Sequence, residues 1–474
     1  MNLARPSPIF AVLLASFAIP SCASRVAVVV PESDVASPRD VRARQLVEAA
    51  LEGEAYTMLK DLCATAPARL SGSPNAQRAV EWGLATMRRI GLENVRAEPV
   101  MVPHWVRGEP ERCELLDDSD RVVEELQILA LGGSDATDPG GVVADVMMVR
   151  SFEELQQRAA EARGRIVFFN RPMPKILANT FRAYGQAVPQ RANGAVEASK
   201  AGGVFALVRS MTTRIDDNPH TGAMNYAGDV PRIPTAAIST LDADAIAARI
   251  ARGERVRLRI TLHCATLPDV ESANVVGEIP GGELGREIVV VGGHLDSWDA
   301  GQGAQDDGAG IAHTLEAARL LVASGARLRR TIRFVLFMNE ENGLRGGLGY
   351  RDAHLDETHF AAIESDAGGD VPLGFGTNAT DLRFEELRAA VRALEPWGMG
   401  ALTPGGGGAD IGPLAERGAL MFGLSVISHR YFDYHHSVLD HVDSVNERAL
   451  ALGAGAIAVL AAELADLGSS APAR

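Results

Sequence analysis

The chain has 474 residues, 46% hydrophobic and 23% charged, which is ordinary for a globular protein, enough to bury a sizeable core, and by length suggests two to three domains. A formal net charge of −15 argues against nucleic acid as the main partner, because phosphate binding needs a basic face. The cysteines are no disulfide framework: after Cys22 only Cys63, Cys113 and Cys264 remain, and Cys113 and Cys264 either pair or stay as buried free thiols.

In chain order, the first feature is a targeting segment. Arg5 precedes an apolar run from Ile9 to Ile19. That run is shorter than the about 20 residues a membrane-spanning helix needs and has the length of a secretory h-region. Residues 1–24 therefore read as a signal peptide of an exported protein. Ile19-Pro20-Ser21-Cys22 looks like a bacterial lipobox, with Cys22 as the lipid anchor of an outer-membrane-anchored protein. Cleavage after Ala23 or Ser24 would instead release a periplasmic or secreted one. Residues 25–42, rich in Pro, Ser and Val, read as a tether.

Helical spacing begins with Leu46, Ala49, Leu51, Met58, Leu59 and Leu62. After the turn-rich Pro67–Pro74, a helix is expected over Ala76–Arg89, closed by Gly91, and then a strand over Val95–Val102. From about Arg107 to Pro268 the texture changes. Short β-rich runs (Val142–Val149, Arg165–Phe169, Val204–Val208, Val256–Leu262) flank helical patches at Phe152–Arg163 and Asn193–Ala201. Residues 107–268 thus read as an α+β module inserted into a domain made of 43–106 and 269–474.

From Asn274 onward strands and helices alternate. Ile288–Val291 is a continuous apolar run, as expected of a parallel strand covered on both faces, and Ile332–Met338, Phe360–Ile363 and Leu420–Ile427 are three more strands. Gly310–Val322 carries Ile311, Leu315, Ala318 and Val322 on one helical stripe. Asn446–Leu467 is the closing helix, and its uncharged stretch, Ala449–Ala462, suits a core helix rather than a membrane span. The fold class is α/β, a sheet domain with an insertion.

The chemistry lies at the strand ends. His294 and Asp296 come just after one buried strand, Glu340 and Glu341 after the next, and Asp366 after a third. Ligands of open α/β sheets bind outside the carboxyl ends of the strands, so these residues meet at one edge. Asp306 and Asp307 stand at the start of the Gly310 helix, and His436 lies in a loop before the last helix. Asp296, Asp306, Glu340, Glu341 and Asp366 together would repel one another or take up protons. Two divalent ions would offset that charge, and imidazole with carboxylate suits zinc. Each piece has an ordinary reading: Glu340-Glu341 as a solvated turn, Asp306-Asp307 as a helix cap, His436 as a structural histidine. Their order and spacing, ending in His436-Ser437 and Asp440, are the specific signal.

These residues, with several longer stretches, carry a family resemblance. The stretches are Ala68–Ser73, Val102–Trp105, Ser151–Gln156, Asn193–Ala198, His220–Gly222, Gly293–Asp299, Gly301–Gly308, Glu364–Gly368 and His435–Ser437. The sequence resembles the co-catalytic zinc aminopeptidase and glutamate carboxypeptidase family from about residue 45 to the end. The resemblance implies a mixed, mostly parallel sheet sandwiched by helices, with the insert as a protease-associated-like domain capping the cleft. It implies two zinc ions per chain, one held by His294 and Asp366, the other by Glu341 and His436, with Asp306 bridging both. Asp296 would orient His294, Glu340 would be the general base, and the Asp306–Asp307 peptide would be cis. His435 would bind substrate by donating to the developing oxyanion, or else serve in packing. The implied activity is hydrolysis of dipeptides or short peptides with free termini, by a protein that in this family often forms a homodimer.

Asn339-Glu340-Glu341-Asn342-Gly343 and Asp440-His441 depart from the family's usual residues without touching a ligand position. Two relatives of the fold frame the alternatives: glutaminyl cyclase, which uses one zinc, and transferrin receptor, which lacks the working site. Arg345 and Arg430 are candidates for reading an acidic substrate, and Gly405–Gly408 reads as a flexible rim.

Overall fold

A computed structural model describes residues 37–468. The expected signal peptide, Cys22 and most of the expected tether lie outside the described residues. Three helices come first: α1 (Pro38–Leu51), α2 (Ala55–Thr65) and α3 (Pro74–Ile90). α1 begins inside the stretch read as tether. Arg39 and Arg42 in its first turns reach Glu463, at 2.5 and 2.9 Å, on the last helix of the chain, and this ordering contact is invisible to local patterning. The expected helix before Arg89 starts two residues earlier, at Pro74. Ser73 caps it by accepting from the Ala76 amide, a contact worth ~1 kcal/mol, and Gly91 closes it at φ 94°.

Two eight-stranded sheets come next. β1 (Glu93–Val106) leads out to the first of them. This sheet is made by β2 (Arg112–Leu116), β3 (Val122–Leu126), β4 (Ile128–Ala130), β5 (Val142–Val149), β6 (Ile166–Phe169), β7 (Phe205–Arg209), β8 (Thr235–Ile238) and β9 (Arg257–Thr261). Its order is β3-β2-β9-β5-β6-β7-β8-β4, with β5 through β8 parallel. Five helices accompany it: α4 (Phe152–Gln157), α5 (Ala159–Ala162), α6 (Thr180–Ala187), α7 (Pro189–Lys200) and α8 (Thr240–Ala251). The expected patch Phe152–Arg163 is thus two short helices. β2, β3, β4, β8, α6 and α8 were not anticipated. The strands among them are short, and β3 exposes Val122 and Val123 instead of alternating.

The chain returns through β10 (Ala265–Ile279), which pairs antiparallel with β1 from Val106↔Ala265 to Glu93↔Glu278. The second sheet adds β11 (Leu284–His294), β12 (Arg330–Phe337), β13 (Thr358–Glu364), β14 (Pro372–Thr377), β15 (Ala401–Pro404) and β16 (Leu420–Val426). Its order is β1-β10-β12-β11-β13-β16-β14-β15, with β12, β11, β13 and β16 parallel at the centre. Here the apolar runs are continuous because both faces are covered. Val289 and Val291 of β11 join one core while Ile288 and Val290 join another, as the two-residue period of a strand requires.

The first of these cores packs α1 and α3 with α9 (Ala309–Ser324) and α13 (Glu447–Asp466). The second core takes in Tyr350 of α10 (Arg345–Ala353) and Leu414 of α12 (Gly412–Ala415). The remaining helix, α11 (Asp381–Val391), contributes Leu387 and Val391 to the first core. α13 is apolar and long enough to cross a membrane, but 94% of its most apolar stretch is buried inside the fold. Cys63, Cys113 and Cys264 are all buried and free, so Cys113 and Cys264 do not pair. Of Gly405–Gly408, read as a flexible rim, Gly405 and Gly406 are exposed, while a Cβ on Gly408 would strike the Glu364 carboxylate.

Candidate metal centre

Because β11, β12 and β13 run parallel, their carboxyl ends open at one edge. His294 is the last residue of β11, Glu340 and Glu341 lie just past β12, and Asp366 just past β13. Asp306 stands in the turn before α9, and its peptide to Asp307 is cis. His436 occupies the loop before α13 with a φ of 62°.

The five expected ligands come together around the Asp306 carboxylate. Its Oδ1 lies 3.2 Å from His294 Nε2, and Asp366 Oδ1 lies 3.6 Å from the same nitrogen. Its Oδ2 lies 3.1 Å from His436 Nε2, and Glu341 Oε2 lies 3.1 Å from that nitrogen. His435 stacks on His436 with ring centroids 3.5 Å apart and brings its own Nε2 to 3.6 Å from Asp306 Oδ2.

The other ring nitrogens decide the tautomers. His294 Nδ1 is 3.0 Å from the Asp296 carbonyl, and His436 Nδ1 is 3.2 Å from the Thr221 carbonyl. A carbonyl only accepts, so His294 Nδ1 carries a hydrogen and its Nε2 turns a lone pair toward carboxylate oxygens; His436 Nδ1, which also has Arg191 Nη1 3.3 Å away, takes the same tautomer when it gives its hydrogen to Thr221. Facing lone pairs repel unless a proton or a cation lies between them. Asp306 Oδ2, buried and without a hydrogen-bond donor among the described residues, fits the same need. The donor set therefore suits a metal cluster.

Buried contacts hold the loops in place. Asp296 meets His294 Nδ1 through its main-chain carbonyl at 3.0 Å, with its carboxylate 3.8 Å away. Its Oδ1 instead accepts from the Asn339 and Glu340 amides, at 2.8 and 3.0 Å, which fixes the backbone that presents Glu340. Asp440 accepts from three successive amides, those of Ala304, Gln305 and Asp306, at 3.0, 2.6 and 3.2 Å. The fully buried Arg69 donates to the carbonyls of Leu295, Gln302 and Gly303. Asp307 accepts from the His294 and Gly310 amides.

The electrostatics are those of a crowd of acids out of water. Burial, with neighbouring acids, holds Glu340 well above the ordinary carboxylate range and lifts Glu341 to about 7. Burial opposes ionisation of Asp306, but the positive charge that His294 and His436 carry when protonated holds it well below its ordinary value. Burial pulls His436 down, but Glu341 and Asp306 more than offset this and raise it to about 9. Burial and the adjacent His436 keep His435 well below its ordinary value, so its ring is neutral.

The cluster opens into a cavity of about 230 Å³ whose wall includes Glu340, His435 and Tyr431 and, from the insert, Phe181, Tyr184 and Arg191. Arg345 and Arg430, the expected acid-reading candidates, are both exposed and do not line it.

Comparison with known proteins agrees with this arrangement. Residues 274–461 match peptidase family M28. Carboxypeptidase Q of Mus musculus is 35% identical over 447 residues, covering 93% of this chain and 92% of that protein. The crystal structure of a peptidase M28 precursor from Shewanella amazonensis superposes with a TM-score of 0.87 at 34% identity, covering 92% of this chain and 98% of that one. A zinc aminopeptidase from Bacillus subtilis shares the fold, with a TM-score of 0.61 at 20% identity over 87% of this chain and 97% of its own. The chain belongs to peptidase family M28, the co-catalytic zinc peptidases its sequence resembles, and is a zinc metallopeptidase. Within that family it is similar to carboxypeptidase Q along nearly its whole length.

Sequence reasoning assigned no role to Arg69 or Arg191, none to Asp307 beyond the helix cap it makes with the Gly310 amide, and none to Asp440 beyond its spacing from His436. The partners of Arg69 and Asp440 are backbone groups, which leave no residue-type signature. Arg191 lies on α7 of the insert, two residues before the Asn193–Ala198 stretch.

Proposed function

We propose that the cluster holds two zinc ions and that the enzyme is an exopeptidase for dipeptides or short peptides with free termini. His294, Asp366 and Asp306 would hold one ion; His436, Glu341 and Asp306 would hold the other. The supporting observation is that each Asp306 oxygen faces its own histidine, and each histidine faces a second carboxylate. When bound, such ions polarise the scissile carbonyl and lower the pKa of the attacking water.

The chain's own groups do the rest. Glu340, in the cavity wall beside the ligands, takes a proton from the attacking water and passes it to the leaving amine. The neutral His435 ring offers an N–H to the carbonyl oxygen as that atom gains charge. Arg191 is 8% exposed, its Nε is buried without a partner, and among the described residues no carboxylate lies within 4.0 Å of it. A buried guanidinium without a counter-charge is costly, and the free C-terminal carboxylate of a short substrate would supply that charge. The cavity, smaller than the roughly 300–1,000 Å³ of drug-sized clefts, favours short substrates.

Residues 107–268 act in this reading as a protease-associated-like cap, since Phe181, Tyr184 and Arg191 reach the cavity from there. Export through the leader at 1–24 is part of the same proposal, supported by the apolar run and by Cys22. The deciding experiment is Glu340→Gln, which should keep its zinc and lose turnover by about 10²- to 10⁴-fold. Undiminished hydrolysis would remove Glu340 from the reaction. Saturation at one zinc per chain would turn the reading toward a cyclase-like enzyme.

A further inference from the structure

The two ligand sets around Asp306 are held by different parts of the chain. His294 ends a central strand, Asp366 lies just past its neighbour β13, and the His294 ring leans on the carbonyl of Asp296, two residues on. His436 and Glu341 lean instead on the insert. The Thr221 amide donates to the His436 carbonyl at 2.9 Å, and the Thr221 carbonyl accepts from the His436 ring at 3.2 Å. His220 Nδ1 lies 2.7 Å from the His435 carbonyl, to which it donates. Thr221 is in turn tied to β4, since its hydroxyl donates to the Ala130 carbonyl at 2.7 Å. No space is left at this junction: a Cβ on Gly222, at φ 132°, would sit 2.7 Å from His436 Nδ1 and 2.2 Å from the Arg191 guanidinium.

Glu341 is tied to the insert by a second route. Its Oε1 accepts from the Trp298 amide at 3.2 Å, and the Trp298 indole is embedded in the insert's core. There it stands edge-on to Trp105 and lies so close to Gly132 that a Cβ would fall 1.8 Å from the ring.

We infer that seating of the insert completes the metal position formed by Glu341 and His436, while the position formed by His294 and Asp366 stands on the sheet alone, so that occupancy of the first and docking of the insert are thermodynamically linked. His220, Thr221 and Gly132 are positioning residues in this scheme, acting through His436 and Glu341. The linkage is reciprocal: an ion that needs the seated insert stabilises that seating by the same factor. The inference rests on the two-ion reading above. It assigns the insert a role in assembling the metal centre, in addition to covering the cleft.

The test is a zinc titration of the metal-free full-length chain, followed by amide hydrogen exchange. The Thr221 amide, bonded to His436, and the Gly132 amide, bonded to the Gly222 carbonyl at 3.0 Å, report on the junction. Their protection should rise with one of the two zinc equivalents and stay flat with the other. His220→Ala and Gly132→Val should weaken one zinc site by about 10- to 100-fold, the usual range for a residue that orients a ligand, and leave the other unchanged. Equal loss at both sites, no loss at either, or protection indifferent to zinc would overturn the linkage while leaving a two-zinc enzyme intact. Should both variants fail to fold, exchange in the unaltered chain decides alone. Saturation at a single zinc would remove the two-ion reading and this inference with it.

Discussion

His294 and His436 present the same atom, Nε2, to the two oxygens of one carboxylate, yet they arrive there by different means. One ends a buried strand between two parallel neighbours, paired with Phe337 of β12 and with its amide donating to the Asp307 carboxylate. The other lies in a loop with a left-handed backbone and is oriented by a carbonyl more than two hundred residues away in sequence. Identical donor chemistry can thus rest on a rigid element or on a junction between two sheets. Functional sites gain precision when their supports are rigid, so the two positions should differ in how they tolerate change.

The largest effect is expected where the two halves meet. Asp306→Ala removes the carboxylate that faces both histidines, and hydrolysis should fall by at least the ~10⁴-fold reached by losing a general base, with both ions weakened together. Retention of one tight ion in that variant, measured by metal analysis, would show that the halves are independent.

Next comes the insert's own contribution to substrate. Arg191→Met should raise KM for a free dipeptide by about 10- to 100-fold while leaving the C-terminal amide of the same dipeptide little affected. Equal losses on both substrates would reduce Arg191 to a packing role.

A smaller effect is expected on the loop that presents Asp306. Asp440→Ala leaves three buried amides without their acceptor and should cost about 1–3 kcal/mol for each amide that finds no water, read as a lower melting temperature even without metal. A variant as stable as the parent would mean that the loop re-pairs its amides.

The subtlest expectation concerns protons. Without metal, Glu341 holds its proton to about pH 7 and His436 to about pH 9, above their ordinary values of 4.5 and 6.5. Groups with raised folded values hold protons more tightly than in the unfolded chain. Their stabilising contribution is therefore full below the ordinary values and fades as pH rises, from 4.5 through 7 for Glu341 and from 6.5 through 9 for His436. Zinc displaces the same protons, so its affinity rises over that window. The gap in melting temperature between zinc-loaded and metal-free protein should widen from about pH 6 to about pH 8. A constant gap would place the titrating groups outside the metal positions.

The sheet-built half was legible in the sequence because a strand covered on both faces is a continuous apolar run, and the residues just past its end must lie at the sheet's edge. Ile288–Val291 and Phe360–Ile363 announced where His294 and Asp366 would fall. The insert-held half was legible only in its ligands. Thr221 acts through its carbonyl and amide, Gly132 through the side chain it lacks, and Asp440 through backbone amides, so residue type says little about their roles. Arg191 was missed in favour of Arg345 and Arg430 because burial without a carboxylate partner among the described residues, its distinguishing feature, exists only in three dimensions. The start of α1 at Pro38 depends likewise on Glu463, more than four hundred residues on.

Whether two ions share the Asp306 carboxylate is tested most directly by anomalous diffraction at the zinc edge from crystals of the zinc-loaded protein. Two peaks are expected, one beside Oδ1 among His294 and Asp366 and one beside Oδ2 among His436 and Glu341. A single peak, or peaks away from Asp306, would contradict the two-ion centre.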